Sequence, residues 1–149
     1  LLVNAGLLGT IGPIEHAEPK EFSEVLHVNV TAGFLTCHAC LPLLREAPGA
    51  SIILTTSGLG QRGKALWGAY CVSKFAIEGF TQVLADELSN TNVRVNAINP
   101  GATRTAMRAS AFPAEDPREL KTPAQIMPTY LYLMGSDSPD VRGQTLNAQ

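Results

Sequence analysis

A tyrosine and a lysine four positions apart form the pair of side chains best suited to proton transfer. Tyr70 and Lys74 lie in a segment with helical periodicity, so their side chains share one helix face, one turn apart. A free tyrosine has a pKa of about 10. An ammonium group about 5 Å away contributes roughly 3 kcal/mol at an effective dielectric constant of about 20, which lowers the tyrosine pKa by up to about two units. The spacing therefore predicts a general acid/base, although it is also common by chance on ordinary surface helices.

Two further polar residues could assist such a tyrosine. Ser57 stands thirteen residues before Tyr70, directly after an apolar run. A hydroxyl at the end of a strand can donate a hydrogen bond to a substrate oxygen, but Ser57 could equally be a turn residue, and Thr55 and Thr56 compete for the role. Asn29 stands among apolar neighbours in a helical segment, where a buried amide needs partners. Its role is either catalytic or structural.

Short apolar runs alternate with longer segments of helical periodicity along the whole chain. The runs predict strands at residues 1–3, 50–55, 93–98 and 144–147, and the longer segments predict helices at 18–44, 69–88 and 122–134. Strands that alternate with helices of this length form parallel sheets through right-handed crossovers. The order β-α-β-α-β-α-β thus predicts an α/β fold with a Rossmann-like, doubly wound parallel sheet. Residues 102–121 show no clear period and are predicted to form a long functional loop.

Polar residues and glycines concentrate where the predicted strands end. These places are Asn4-Ala5-Gly6, Thr55-Thr56-Ser57, Asn99-Pro100-Gly101 and Asn147. Ligands of open parallel sheets bind beyond the carboxyl ends of the strands. The sequence therefore predicts a binding site at this edge of the sheet, next to Tyr70.

These residues, in this order, resemble the motifs of the classical short-chain dehydrogenase/reductase family. Asn29 and Ser57 match the catalytic Asn and Ser of that family, Ser57 by its distance to Tyr70. The other matching segments are Val3-Asn4-Ala5-Gly6 (its Asn-Ala-Gly motif), Tyr70-Cys71-Val72-Ser73-Lys74 (its Tyr-x-x-Ser-Lys motif) and Pro100-Gly101-Ala102-Thr103-Arg104-Thr105 (its Pro-Gly-x-x-x-Thr motif). The resemblance covers the whole chain.

The resemblance implies an oxidoreductase that transfers a hydride between a nicotinamide cofactor and the carbonyl or alcohol carbon of a small-molecule substrate. Tyr70 would exchange the hydroxyl proton, and Lys74 would tune Tyr70 and bind the ribose hydroxyls. Ser57 would orient the substrate oxygen, and Asn29 would hold a water that links Lys74 to solvent. The implied cofactor-binding residues are Asn4, Ala5, Gly6, Tyr70, Lys74, Pro100, Gly101, Thr103 and Thr105.

One motif of the family has no counterpart in the chain. The Thr-Gly-x-x-x-Gly-x-Gly phosphate loop is absent, and so is the residue that selects between NAD and NADP. The cofactor is therefore expected to be NAD or NADP without a choice between them. Three βα units of about 30 residues each would precede this chain in the family fold. Residues 1–149 are accordingly expected to be the C-terminal part of a single NAD(P)-binding Rossmann-fold domain whose N-terminal units are missing.

Composition narrows the class of protein. Eleven basic and thirteen acidic side chains leave a formal charge of −2, which argues against a nucleic-acid partner. No secretory signal and no apolar run of about 18 residues is apparent, so no membrane partner and a cytoplasmic location are expected. Three cysteines fit a reducing compartment. Cys37 and Cys40 lack the two further ligands that zinc requires, and no metal site is expected.

Two alternative functions fit these residues less well than the oxidoreductase does. A regulatory or scaffold protein could bind the cofactor without turnover, but it would not require Ser57, Tyr70, Lys74 and Asn29 together. An epimerase or dehydratase of the extended branch would carry a substantial substrate domain after Gly101, whereas 48 residues follow it here.

The sequence also predicts an interface between subunits and a lid over the substrate. The helices 18–44 and 69–88 carry more apolar residues than one sheet face requires, which predicts a homodimer or homotetramer through these helices. In the second helix, Phe75 and Phe80 lie off the main apolar stripe. The segment 105–121 is expected to cover the substrate as a lid. Arg104 and Arg108 within or beside it are interpreted as solvated charges in preference to anion ligands.

Overall fold

A parallel sheet of four strands forms the centre of the computed structural model, which describes all 149 residues. The strands are β1 Leu2–Val3, β2 Ala50–Thr55, β3 Val93–Asn99 and β4 Thr145–Asn147. They lie in the order β1-β2-β3-β4, and each neighbouring pair is parallel. The α/β fold predicted from the alternating pattern is confirmed. Continuous apolar runs such as β2 and β3 form strands of this kind because both faces of a parallel sheet are covered.

Helices cover the sheet on both faces. They are α1 Pro19–Leu26, α2 Ala32–Glu46, α3 Gly68–Glu87, α4 Ala106–Ala111 and α5 Pro123–Met134. Successive side chains of a strand point to opposite faces. Accordingly, Ile52 and Leu54 of β2 pack in one apolar cluster with Ile77 and Leu84 of α3, while Ile53 packs in a second cluster with residues of α5. The arrangement is the predicted doubly wound one.

The first predicted helix contains an irregular turn. Residues His27–Thr31 form a π-helical turn between α1 and α2, so the expectation of one regular helix over 18–44 is corrected. The amide of Asn29 accepts a hydrogen bond from the backbone N of Leu7 at 2.6 Å and donates to the Leu7 carbonyl and the Ser73 hydroxyl, both at 2.9 Å. These bonds satisfy the buried amide and tie the turn to the loop after β1.

The segment 102–121 is more regular than predicted. It contains the helix α4 and a short 3-10 turn at Pro117–Glu119. The hydroxyl of Thr105 caps α4 by accepting a hydrogen bond from the backbone N of Arg108 at 3.2 Å, and Asp116 caps the 3-10 turn in the same way. Six residues are too few to show a helical period in sequence, which explains why the helix was missed.

The last helix begins and ends where its capping residues predicted. Gln125 donates its backbone N–H to the hydroxyl of Thr122 at 3.4 Å, and its side-chain oxygen accepts from the backbone N of Thr122 at 2.8 Å. Gly135 follows the final turn. This capping box fixes α5 against the second face of the sheet.

The stretch Pro19–Glu46 is long and apolar enough to cross a membrane by length and composition alone. The expectation that no segment reaches that threshold is therefore wrong for this stretch. Core helices of globular proteins meet the same criterion. Here α1 packs against α3 and α2 against β2, and Val25 and Cys37 are buried in the interior. The stretch thus packs on the other elements of the fold, with 22% of its most apolar part buried.

Candidate active site

A cavity of about 890 Å³ lies beyond the carboxyl ends of β1, β2 and β3, beside α3 and α4. Its position is the one that the strand-end pattern predicts. The sequence-predicted site residues that line it are Asn4, Ala5, Gly6, Ser57, Tyr70, Lys74, Pro100, Gly101, Thr103 and Thr105. Asn29 alone of the predicted set lies outside the lining.

Tyr70 and Lys74 project from the first turns of α3 into this cavity. The Nζ atom of Lys74 lies 5.4 Å from the centroid of the Tyr70 ring. It also donates a hydrogen bond of 2.8 Å to the carbonyl oxygen of Thr55, the last residue of β2. Only 5% of Lys74 is exposed, so its ammonium group is fixed between the helix and the end of the strand.

Burial, and not the ammonium group, dominates the pKa of Tyr70. Desolvation raises the pKa of this phenol above its usual value, and a side-chain hydrogen bond with Ser57 acts in the opposite direction. The same burial lowers the pKa of Lys74 from 10.5 to about 8. The prediction that Lys74 lowers the pKa of Tyr70 is therefore wrong for this geometry, because desolvation of the phenol is the largest cause of the shift and Lys74 is not among its causes.

Three hydroxyl groups compete for the role of substrate donor at the end of β2. Thr55 donates its hydroxyl to the side-chain oxygen of Asn4 at 2.9 Å, and the hydroxyl of Thr56 is buried without a partner. Ser57 is half-buried and accepts a hydrogen bond from the backbone N of Leu59 at 3.3 Å, and its side chain lies near enough to Tyr70 to lower the pKa of that phenol. Of the three, Ser57 is the hydroxyl that stands beside the phenol.

Asn29 lies behind Gly6, which separates its side chain from the site. A methyl group on Gly6 would lie 3.4 Å from the side-chain oxygen of Asn29 and 3.9 Å from Nζ of Lys74. The missing side chain of Gly6 thus leaves a short gap between the amide and the ammonium group. The amide itself is already bonded to Leu7 and Ser73, so its observed contacts are structural.

The turn after β3 supplies the opposite wall of the cavity. Gly101 has φ of +70°, a left-handed conformation that favours glycine. Thr103 is buried and donates its hydroxyl to the carbonyl of Pro100 at 3.2 Å, while the hydroxyl of Thr105 is occupied in capping α4. The side-chain amide of Gln149 donates to the Pro100 carbonyl at 2.5 Å, a support that no motif indicated.

The two arginines of the lid segment support backbone and side chains of that segment. Arg104 donates to the carbonyl oxygens of Pro117 and Leu120 at 2.6 and 3.2 Å. Arg108 forms two bonds of 2.6 Å with the carboxylate of Glu115. Arg104 is exposed, in agreement with the interpretation as a solvated charge, although it also bonds to the backbone of the segment. For Arg108 that interpretation is corrected, because it is partly buried and paired with Glu115.

The lining of the cavity fits the nicotinamide half of a dinucleotide. None of the lining residues is Asp or Glu, so no carboxylate repels a phosphate group. Gly6 lets a ligand approach the backbone of the loop after β1, whereas the space beside Gly101 is filled by the side chain of Gln149. The half-buried Thr55 and Ser57 place hydroxyls at the strand end. The chemistry of the donors and the shape agree with such a cofactor.

Fold and cavity together define an α/β protein with a tyrosine–lysine site at the carboxyl edge of its parallel sheet. A family model described as short chain dehydrogenase matches residues 1–116. The chain belongs to the short-chain dehydrogenase family.

Individual relatives agree with this assignment. The Escherichia coli K12 protein named "Uncharacterized oxidoreductase YciK" is 55% identical over 149 residues, which are 100% of this chain and 59% of that protein. A 3alpha-hydroxysteroid dehydrogenase of Mediterraneibacter gnavus is 37% identical over 110 residues, which are 74% of this chain and 44% of that protein.

Solved structures show the same fold. A short chain dehydrogenase from Salmonella enterica serovar Typhi superposes with a TM-score of 0.96 at 56% identity, covering 97% of this chain and 60% of that one. One from Escherichia coli CFT073, complexed with NADPH, gives a TM-score of 0.97 at 55% identity, covering 99% and 61%. The chain thus spans about three fifths of the length of these relatives.

The lowered pKa of Lys74 predicts a pH-dependent stability. Between about 8 and the usual 10.5 the folded protein binds fewer protons at Lys74 than the unfolded chain does. The contribution of this group to the free energy of unfolding therefore rises with pH through that window and is lost as pH falls through the folded pKa. From about pH 7 to about pH 9.5 we expect the intact gene product to gain up to about 2 kcal/mol relative to a Lys74→Met variant.

Urea unfolding without added cofactor at a series of pH values measures this difference. Lys20→Met is the matched control, since Lys20 is exposed on α1 and its loss should leave the pH dependence unchanged. Parallel pH profiles for the native protein and Lys74→Met would contradict the assigned pKa.

Proposed function

We propose that the protein is an NAD(P)-dependent oxidoreductase that interconverts a carbonyl and an alcohol. The observation that carries the proposal is the phenol of Tyr70 beside the hydroxyl of Ser57, with the buried Lys74 5.4 Å from the same ring. Its relatives' names, oxidoreductase and hydroxysteroid dehydrogenase, support the same class of reaction.

Each residue of the site has its own role in the proposed reaction. Ser57 donates a hydrogen bond to the substrate oxygen, and Tyr70 gives that oxygen its proton during reduction or removes it during oxidation. Because its pKa is raised above that of a free tyrosine, Tyr70 holds its proton at neutral pH and starts in the protonation state that reduction requires. Lys74 holds the strand end through Thr55 and binds the ribose hydroxyls, and Asn29 holds a water near it behind Gly6.

The cofactor supplies the hydride, and the residues that would hold it are those at the strand ends. They are Asn4, Ala5, Gly6, Tyr70, Lys74, Pro100, Gly101, Thr103 and Thr105. We favour NADP over NAD, because similar structures from Escherichia coli and Shigella flexneri contain NADPH and NADP respectively.

The chain is proposed to be the C-terminal part of a single NAD(P)-binding domain. About two fifths of the length of its relatives lies outside the match, and the sheet ends on one side at β1, a strand of two residues. Strands added beside β1 would bring the phosphate-binding loop to the same carboxyl edge as the cavity.

Exchange of the general acid tests the proposal directly. In the intact gene product, Tyr70→Phe should lower turnover of the best substrate from a panel of ketones and aldehydes by at least about 100-fold. The dissociation constant for NADPH should change little, because the ring and Lys74 remain. Steady-state kinetics and fluorescence titration measure the two quantities.

Tyr132→Phe is the control for that exchange. Tyr132 is exposed on α5 and does not line the cavity, so its hydroxyl should not affect turnover. Near-native rates for Tyr70→Phe, or equal losses in both variants, would refute the role of Tyr70.

We also propose a homodimer, or a tetramer of two such dimers, through the helices at 18–44 and 69–88. The outward face of α3 exposes Val72, Phe75 and Val83, and α2 exposes Phe34 and Leu35 beside it. Phe80, expected from sequence to belong to this surface, packs instead against the core and against Phe34. An exposed apolar face of this size on adjacent helices fits an isologous interface.

Val83→Glu tests the location of this interface, because Val83 is 57% exposed and a charge there should not disturb the fold. We expect the variant to shift from dimer to monomer in light scattering at micromolar concentration. Leu131 on α5 is similarly exposed, and Leu131→Glu should leave that dimer intact. A monomeric native protein, or a dimer that survives Val83→Glu, would contradict the proposal.

A further inference from the structure

Two aromatic rings close one side of the cavity above Tyr70. The ring of Trp67 packs edge-on to Tyr70 at 6.0 Å between centroids, and it contacts the ring of Phe112 at 5.6 Å with a tilt of 33°. Trp67 immediately precedes α3, whereas Phe112 ends α4 in the lid segment. A substrate that reaches Tyr70 from this side must therefore pass or stack on both rings.

A strained backbone holds Trp67 in this position. Leu66 adopts φ of +75°, the only residue other than glycine with a positive φ in the protein. Its carbonyl oxygen accepts a hydrogen bond of 2.9 Å from the backbone N of Gly12, which ties the loop before α3 to the loop after β1. Conformations of this kind cost free energy and concentrate where a functional group must be placed.

Two cations flank the rings, and they differ in how far they are neutralised. Arg108 lies 3.8 Å from the centroid of Phe112 and forms its two short bonds with Glu115. Lys64 lies 5.5 Å from the centroid of Trp67 and 5.7 Å from that of Phe112, and it forms no ion pair. We call Lys64, Trp67, Arg108 and Phe112 the mouth cluster.

The surroundings of Lys64 leave its charge available to a ligand. The Lys64 side chain lines the cavity, and no Asp or Glu lines it with Lys64. The aromatic faces attract the ammonium group but do not neutralise it. Lys64 is itself exposed, so water screens its charge and a modest preference for an anion at the same mouth is expected.

We propose that the mouth cluster selects carbonyl compounds that combine a flat apolar body with a carboxylate. The body would stack on Trp67 and Phe112, the carboxylate would pair with Lys64, and the carbonyl group would face Ser57 and Tyr70. This assignment rests on the proposed oxidoreductase function, and it adds the class of substrate that the site accepts.

The test uses binding, because Trp67 is the only tryptophan in this sequence and lies at the mouth of the cavity. The fluorescence of a Trp67→Phe variant of the intact gene product is subtracted, so that the remaining signal reports on this place. The probes are 4-acetylbenzoate and its methyl ester, which differ only in charge. In the intact gene product we expect 4-acetylbenzoate to quench Trp67 with an affinity about five- to tenfold higher than the ester. Lys64→Gln should abolish this preference, and Lys64→Arg should retain most of it.

Arg62→Gln is the matched control. It removes the same charge from the same loop, and Arg62 is exposed like Lys64 but does not line the cavity. Its preference for 4-acetylbenzoate should equal that of the native protein. Equal affinities for the two probes, no quenching by either, or equal losses in Lys64→Gln and Arg62→Gln would overturn the proposal.

The two levels of the account fail separately. If ketones are reduced and Tyr70→Phe abolishes the reaction, but Trp67 shows no preference for the carboxylate, the oxidoreductase stands and the substrate class is wrong. If 4-acetylbenzoate binds selectively through Lys64 but Tyr70→Phe leaves carbonyl reduction at native rates, the binding site stands and the assigned chemistry is wrong.

Discussion

The site depends on one buried hydrogen bond, from the ammonium group of Lys74 to the carbonyl oxygen of Thr55 at 2.8 Å. It joins the active-site helix α3 to the end of β2, and Tyr70 follows from it because the phenol lies one turn earlier on the same helix face. The cost is visible in the lowered pKa of Lys74, about 8 in place of 10.5. The hydrogen bond of the buried lysine thus holds the phenol of Tyr70 in position beside Ser57.

A second set of bonds fixes the loop after β1, which contributes another side of the cavity. The amide of Asn29 holds the backbone of Leu7 from two sides and reaches Ser73 on α3, next to Lys74. The loop after β1, the π-helical turn and α3 are therefore locked in one network, with Gly6 between the amide and the ammonium group. Fully satisfied buried polar networks of this kind fix geometry more strongly than apolar packing does.

The sequence predicted those features that depend on local pattern. The strands β2 and β3 are continuous apolar runs, and the capping residues of α5 occupy neighbouring positions, so each could be recognised in a short window. The strand-end residues were also found, since topology alone brings them to one edge. The π-helical turn was not, because bonds from Asn29 to Leu7 and Ser73 stabilise it, and those residues are distant in sequence. The pKa of Tyr70 was predicted in the wrong direction, because it depends on burial that only the packed structure reveals.

The central claim is that Tyr70 serves a hydride transfer at this cavity, and isotope labelling tests it most directly. The intact gene product would be mixed with NADPH carrying deuterium at C4 of the nicotinamide, in both positions, and with an excess of a ketone that it reduces. Mass spectrometry of the alcohol should find one deuterium on the carbon that bears the oxygen, and Tyr70→Phe should form this product at least about 100-fold more slowly. Alcohol without deuterium at that carbon, or labelled alcohol formed equally fast by Tyr70→Phe, would contradict the account.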